Sequence, residues 1–224
     1  MTAIAPRLYV DSADIERVSR LLDAGVVHGV TTNPTILERG GRTAAEIPDL
    51  YARWLSEGAR EIFFQTWGED AASFLRNAET IRGLGEQVVV KVPATAAGFA
   101  AASALVRDGA TVLVTAVYSV AQALACASIG ARYIAPYLGR MRDAGPSAEG
   151  SAEDVIARMQ DVCAGSDTNV LAASLRSPAD IVALRLRGVP YFTAAPDVIE
   201  RMLFHEVSDS SAVEFDAAMG RLGA

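Results

Sequence analysis

Of the 20 basic residues in the chain, 19 are arginine, and the one lysine is Lys91. The distinction is chemical. An arginine stays charged in a protein and forms no imine with a ketone, whereas a lysine amine that sheds its proton can. Lys91 lies in Gln-Val-Val-Val-Lys-Val-Pro93, with four valines around it. A strand-end lysine can snorkel to water, but these neighbours offer it a poor route. Burial disfavours the ammonium form and lowers the pKa. A neutral amine at pH 7 is the nucleophile that makes a Schiff base with a ketone, and the protonated imine then allows the adjacent C–C bond to break or form.

The elements that must position this lysine recur along the chain. Short β-branched or apolar runs occur at Leu8–Val10, Val26–Thr31, Glu61–Gln65, Gln87–Val92, Thr111–Thr115, Tyr133–Tyr137, Asn169–Ala173 and Pro190–Thr193. Helical patterns lie between them, opened by cap-like residues such as Ser12-Ala-Asp-Ile-Glu16, Ser119 and Ser177-Pro178. Thr43–Gly58 also reads as helix, and Asp143–Ser151 as a turn-rich connector. Eight strands alternating with helices, at ~28 residues per unit, predict a (β/α)8 TIM barrel spanning 1–224 as one domain. Ser208–Leu222 reads as an additional C-terminal helix outside the eight units. A doubly wound open sheet is the runner-up, but the residues after the first strand, Asp11-Ser-Ala-Asp14, lack its glycine-rich fingerprint.

In such a barrel the active site lies at the C-terminal ends of the strands. Lys91 falls there, sharing a face with Val89 and not with Val90 or Val92. The other ends supply Asp11, Thr31-Thr32-Asn33-Pro34, Gln65, Thr115, Tyr137 with Arg140, and Ser174 with Arg176. Each has a bland alternative: Asp11 as a cap for the helix near Ala13, Thr31 or Asn33 as turn formers. Closure of the barrel would bring all of them to one mouth around the lysine.

Composition narrows the classes further. Hydrophobic residues make up 51% and charged residues 21%, a globular balance. With 27 acidic side chains the net charge is −7, which argues against a nucleic-acid surface but leaves room for a small phosphorylated ligand. Cys126 and Cys163 offer neither a disulfide framework nor a zinc set and read as packing residues. His28 and His205 have no partners that would make them metal ligands. Met1–Arg7 lacks the pattern of a signal peptide, and no apolar stretch is long enough to span a membrane. A soluble, cytoplasmic protein is expected.

The blocks Thr-Thr-Asn-Pro-Thr35, Val-Val-Val-Lys-Val-Pro93, Thr-Ala-Val-Tyr118, Ala-Pro-Tyr-Leu-Gly-Arg140 and Ala-Ala-Ser-Leu-Arg176 resemble the transaldolase family. The likeness is to its short branch, which includes the fructose-6-phosphate aldolases, and it covers nearly the whole chain in order. It implies a class I aldolase barrel without a metal or other cofactor, forming an imine between a dihydroxyacetone unit and Lys91. It assigns Asp11 and Asn33, with Thr31, to the substrate hydroxyls and the lysine's surroundings, and Thr115 to a water used in proton transfer. Arg140, Ser174 and Arg176 would clamp a sugar phosphate, as charge-assisted hydrogen bonds from an Arg fork allow. It also implies a ring-shaped homo-oligomer in which the C-terminal helix crosses to a neighbour.

Two positions divide that family. Transaldolases usually carry Glu at the end of the third strand and Phe at the end of the sixth; this chain has Gln65 and Tyr137, the aldolase pair. A Tyr hydroxyl can act as general acid or base where the carboxylate is absent. The clamp residues look more like a transaldolase's, and Gln-Thr-Trp67 departs from both branches, which makes Trp67 a candidate to reshape the pocket for an unusual, longer sugar phosphate. The expected function is transfer or release of a C3 ketose unit. The alternative is a sugar-phosphate-binding barrel without chemistry; an isomerase would need a carboxylate or His base, for which only Asp11 stands at a strand end.

Overall fold

The structure is a computed structural model that describes residues 4–223. The reading of Met1–Arg7, and the ends of the 1–224 span, fall partly outside the described residues. Eight strands, β1 (Arg7–Asp11), β2 (Gly29–Thr31), β3 (Glu61–Gln65), β4 (Val88–Pro93), β5 (Val112–Val117), β6 (Tyr133–Pro136), β7 (Asn169–Leu175) and β8 (Tyr191–Ala194), pair in parallel around a closed barrel. The open-sheet alternative is excluded, because β1 pairs with both β2 and β8.

The connecting helices are α1 (Ile15–Asp23), α2 (Pro34–Arg39), α3 (Ile47–Ser56), α4 (Ala71–Arg82), α5 (Ala96–Arg107), α6 (Val120–Ser128), α7 (Leu138–Asp143), α8 (Ala152–Val162), α9 (Pro178–Arg185) and α10 (Pro196–Leu203), followed by α11 (Glu206–Leu222). Ser119 and Ser177 cap α6 and α9 as their types predict. At α1 the cap is Asp14, whose side chain accepts from the Arg17 N–H. Asp11 is therefore not a cap. The Thr43–Gly58 helix begins with a 3-10 turn, Ala44–Glu46, that runs into α3.

Strand periodicity separates two apolar layers. Val10, Val30, Ile62, Phe64, Val90, Val92, Val114, Ile134, Val170 and Phe192 face outward into one continuous core beneath the helices. Burial of side chains like these contributes about 1.5–3 kcal/mol each. Tyr9, Phe63, Val89, Leu113, Tyr133, Ala135, Leu171 and Tyr191 face inward and fill the lumen. The barrel is a packed cylinder, and the next inward-facing residues along the strands, such as Lys91 two positions beyond Val89, reach the mouth.

Strand ends differ from the expected ones where the chain bends. Residues 26–28 approach β2 without joining it, after a turn in which Gly25 takes a φ of +67°. Strand β6 stops at Pro136, and Tyr137 opens α7. Strand β7 runs past Ala173 to Leu175 through Ser174, whose φ is +56°. A second non-glycine residue with positive φ, Ala116 at +59°, lies near the end of β5. Both coincide with shifts in strand register, and sparsely populated conformations of this kind cluster at functional ends of a fold.

The eight units are followed by α11, as expected of the C-terminal helix. None of its described residues is buried, and Val207, Val213, Phe215, Met219 and Leu222 are exposed. Among the described residues, no helix is long and apolar enough to cross a membrane.

Candidate active site

The mouth at the C-terminal ends of the strands opens on a cavity of about 200 Å³. Its floor is the lumen layer, reached through Leu113, Ala135 and Leu171. Asp11, Thr31, Asn33, Lys91, Tyr137, Arg140 and Ser174, seven of the ten residues singled out from the sequence, form its wall. Thr115 is one contact behind, its hydroxyl 2.6 Å from that of Tyr137. Gln65 stands beside Lys91 in the β3–β4 register and is outside the wall. Arg176 is outside it too: its guanidinium pairs with Asp143, and the site meets Ser174 instead.

Lys91 is 4% exposed, and its Nζ donates to the Thr32 carbonyl at 2.6 Å. Burial holds its pKa below the usual lysine range, and the negative charge of Asp11 works in the opposite direction. The Asp11 carboxyl is pushed up, first by burial, with Lys91 and the Thr31 hydroxyl opposing. Burial thus biases both partners toward their uncharged forms. Thr31 Oγ1 donates to Asp11 Oδ1 at 2.6 Å and lies 2.6 Å from the Thr193 hydroxyl. That chain fixes the carboxylate. Burial also raises the Tyr137 pKa, partly offset by the Thr115 hydroxyl, so the phenol keeps its proton at neutral pH.

Asn33 serves two roles at once. Its side chain caps α2 by accepting from the Ile36 N–H at 3.0 Å, and it lines the cavity. On the opposite side, the Arg140 guanidinium lies 4.9 Å from the centre of the Tyr137 ring, a cation–π contact. Gly139 lets the chain from β7 come close: a Cβ there would stand 2.8 Å from the Ser174 carbonyl, the Ser174 hydroxyl and Arg176 Nε.

Thr35, Ile36 and Arg39 from α2 and Thr193 from β8 also line the cavity. Thr193 was visible as the last residue of the eighth predicted strand. Arg39 gave no signal, because it reads as an ordinary surface position in a short helix. Trp67, expected to reshape the pocket, is 45% exposed and outside the wall. Tyr118 packs edge-on against Tyr137, at 6.1 Å, and lines a neighbouring apolar hollow. His28 faces Glu61, His205 caps α11, both cysteines are buried, and no cluster among the described residues could hold a metal ion.

The sequence profile described as Transaldolase/Fructose-6-phosphate aldolase matches residues 8–222. The chain is 34% identical over 212 residues to a probable transaldolase from Dehalococcoides mccartyi, covering 94% of this chain and 96% of that one. It is 33% identical over 219 residues to a probable transaldolase from Phenylobacterium zucineum, covering 97% and 98%. Among solved structures it resembles thiamine phosphate pyrophosphorylase from Pyrococcus furiosus, at a TM-score of 0.56 and 15% identity over 84% of this chain and 85% of that one. That likeness concerns the barrel alone.

Proposed function

The chain belongs to the transaldolase/fructose-6-phosphate aldolase family, and on that premise we propose that it transfers or releases a dihydroxyacetone unit from a ketose phosphate of six or more carbons through an imine on Lys91. The observation that carries this reading is a lysine amine buried at the barrel mouth, beside one carboxylate and within a wall of hydroxyls. The neutral amine attacks the C2 carbonyl, and loss of water from the carbinolamine leaves the protonated imine. The C4 hydroxyl then gives up its proton as the C3–C4 bond breaks, releasing an aldehyde and leaving an enamine. The enamine carbon either attacks a second aldehyde or takes a proton, after which water frees the lysine.

The proton traffic is best assigned to Tyr137 and Thr115. Their hydroxyls are 2.6 Å apart, and such a relay takes up one proton as it releases another without needing to ionise. Gln65 cannot act as a base, which fits the aldolase-type pair and leaves Tyr137 as the proton carrier. Asp11, Thr31 and Asn33 bind the hydroxyls of the C3 unit. Arg140 and Ser174 hold the phosphate, with Arg176 joining them if it leaves Asp143.

Borohydride reduction in the presence of fructose 6-phosphate tests the imine. The expected product is a reduced adduct on the Lys91 peptide; folded protein with no adduct would support the binding-barrel alternative instead. Asp11→Asn adds a pH test. Without the carboxylate charge, Lys91 loses what opposes its burial, so its pKa falls further and the acidic limb of the trapping-rate profile moves to lower pH. Turnover drops by about 10²–10⁴-fold, the range for a lost proton-transfer or positioning group. An unmoved limb would remove Asp11 from the lysine's electrostatics.

The homo-oligomer expectation draws support from α11, which presents five exposed large apolar residues on a chain that buries none of that helix. Sedimentation of the full chain against a chain ending at Phe204 should show an assembly that collapses toward monomer in the shorter protein. Equal sizes would end that reading.

A further inference from the structure

Thr193 is a wall residue that the reaction above leaves without a role. It stands on β8, 2% exposed, one inward-facing step beyond Tyr191 of the lumen layer. Asp11 stands likewise beyond Tyr9 on β1, and Thr31 beyond Gly29 on β2. These three strands are neighbours where the barrel closes. Their side chains form one hydrogen-bonded row, in which Thr31 Oγ1 lies 2.6 Å from Asp11 Oδ1 and 2.6 Å from Thr193 Oγ1.

The row has a direction. A threonine hydroxyl carries one proton and two acceptor lone pairs. Thr31 gives its proton to Asp11 Oδ1, so toward Thr193 it can only accept, and the Thr193 proton is spent along the row. Asp11 Oδ1 accepts in the carboxylate, and equally in the acid whose proton sits on Oδ2. Thr193 therefore turns lone pairs, and no proton, toward the cavity. A buried oxygen in that state gains by meeting a donor, and the donors that a ketose offers are its hydroxyls.

Position says which hydroxyls these are. Lys91 reaches across from β4 until its Nζ is 2.6 Å from the carbonyl of Thr32, the residue after Thr31. An imine on that nitrogen holds its three carbons against the ends of β1, β2 and β8, while the phosphate end lies with Arg140 and Ser174. We propose that Thr193 is a specificity-determining residue for the donor: its oxygen accepts a hydrogen bond from one hydroxyl of the C3 unit, the other being held by Asp11 and Asn33. Ketones hydroxylated on both carbons next to the carbonyl are then favoured over their deoxy counterparts. This rests on the proposed imine at Lys91 and names what the site reads in the unit that is transferred.

Thr193→Val removes the oxygen and keeps the shape. Because Thr31 keeps its proton on Asp11, the change leaves only an acceptor unpaired, and Thr193→Ser restores the hydroxyl. The first measurement is the rate of borohydride trapping on Lys91 with dihydroxyacetone and with hydroxyacetone, which lacks one of the two hydroxyls. The ratio of the two rates should fall about three- to tenfold in Thr193→Val, the range for one neutral hydrogen bond, and stay near the wild-type value in Thr193→Ser. The second is calorimetric titration with glucitol 6-phosphate, which has no carbonyl, and with inorganic phosphate. Thr193→Val should weaken the first by a similar factor and leave the second unchanged. An adduct whose trapping ratio is the same in wild type and Thr193→Val would overturn the assignment and leave the imine standing. Equal weakening of inorganic phosphate would overturn it too, since the loss would then lie in the packing of the wall. With no adduct in any variant, the glucitol 6-phosphate result decides: a weakened affinity counts against the imine alone, and an unchanged one against Thr193 as well.

Discussion

Replacing Lys91 with methionine is expected to lower turnover by about four orders of magnitude or more while the protein stays folded. The size follows from the role: a group that forms the covalent intermediate cannot be replaced by its neighbours, so its loss removes the whole route rather than one contact. Methionine keeps the volume and the apolar fit against the lumen layer of Val89, Leu113 and Leu171, and it brings no charge. Arginine at the same position should fail equally, because it restores a cation without an amine that can form an imine. The stability effect has a definite sign. Burial lowers the Lys91 pKa in the folded chain below its unfolded value near 10.5, so keeping this lysine in the fold costs stability wherever the unfolded chain would carry its proton, and that cost fades as pH rises toward 10.5. The methionine variant should therefore melt at or above the wild-type temperature at pH 7, with the difference shrinking by pH 10. Residual turnover within tenfold of wild type, in protein shown to be free of wild-type contamination, would mean that no covalent step passes through this lysine.

What could be read ahead of the fold, and what could not, divides along one physical line. Short apolar runs and cap residues act locally, so the eight strands and the caps Ser119 and Ser177 were legible. Lys91 was legible because its type is unique in the chain and its neighbours are all valine. Features that arise only when the ring closes were hidden. Arg39 becomes a wall residue because β2 delivers α2 to the mouth, and nothing in Ile-Leu-Glu-Arg39 records that. The engagement of Arg176 by Asp143 joins residues 33 positions apart in sequence. The positive φ of Ser174 reflects the register shift between β7 and β8 and leaves no mark on residue type, since Ser is not a left-handed former. Glu61 is the fullest case: at the start of a predicted strand it looks like a solvated charge, yet the barrel turns it inward.

Glu61→Ala should cost about 3–5 kcal/mol of stability. Tyr9 and Tyr133 are both 0% exposed, and their hydroxyls donate to the two oxygens of this one carboxylate, at 2.5 and 2.6 Å. Arg7 and His28 approach the same group at 3.6 and 3.5 Å. The two rings also belong to a ladder across the lumen, Tyr9 on Phe63, Phe63 on Tyr133 and Tyr133 on Tyr191, so the hydroxyls cannot turn away without unpacking the floor of the cavity. Alanine leaves two buried donors unpaired at ~1–3 kcal/mol each, and it strands the cations. For a domain of this size the melting temperature should fall by about 10 °C. Glu61→Gln retains one acceptor oxygen and should lose roughly half as much. Adding Tyr9→Phe and Tyr133→Phe to Glu61→Ala should recover part of the loss, because removing both partners of a buried hydrogen bond is gentler than removing one. The network also predicts an alkaline limit. Burial, reinforced by Glu61, holds both phenols above their ordinary range, Tyr133 at about 12. The Tyr133 contribution is therefore complete below pH 10 and is lost as pH climbs from there through about 12, while Tyr9, held higher still, loses its own only beyond that. In Glu61→Ala that limb should flatten, since the phenols then have no carboxylate to hold their protons. A melting temperature within 2 °C of wild type at pH 7 would show that water replaces the carboxylate at the base of the barrel, and that the lumen owes its order to the aromatic ladder alone.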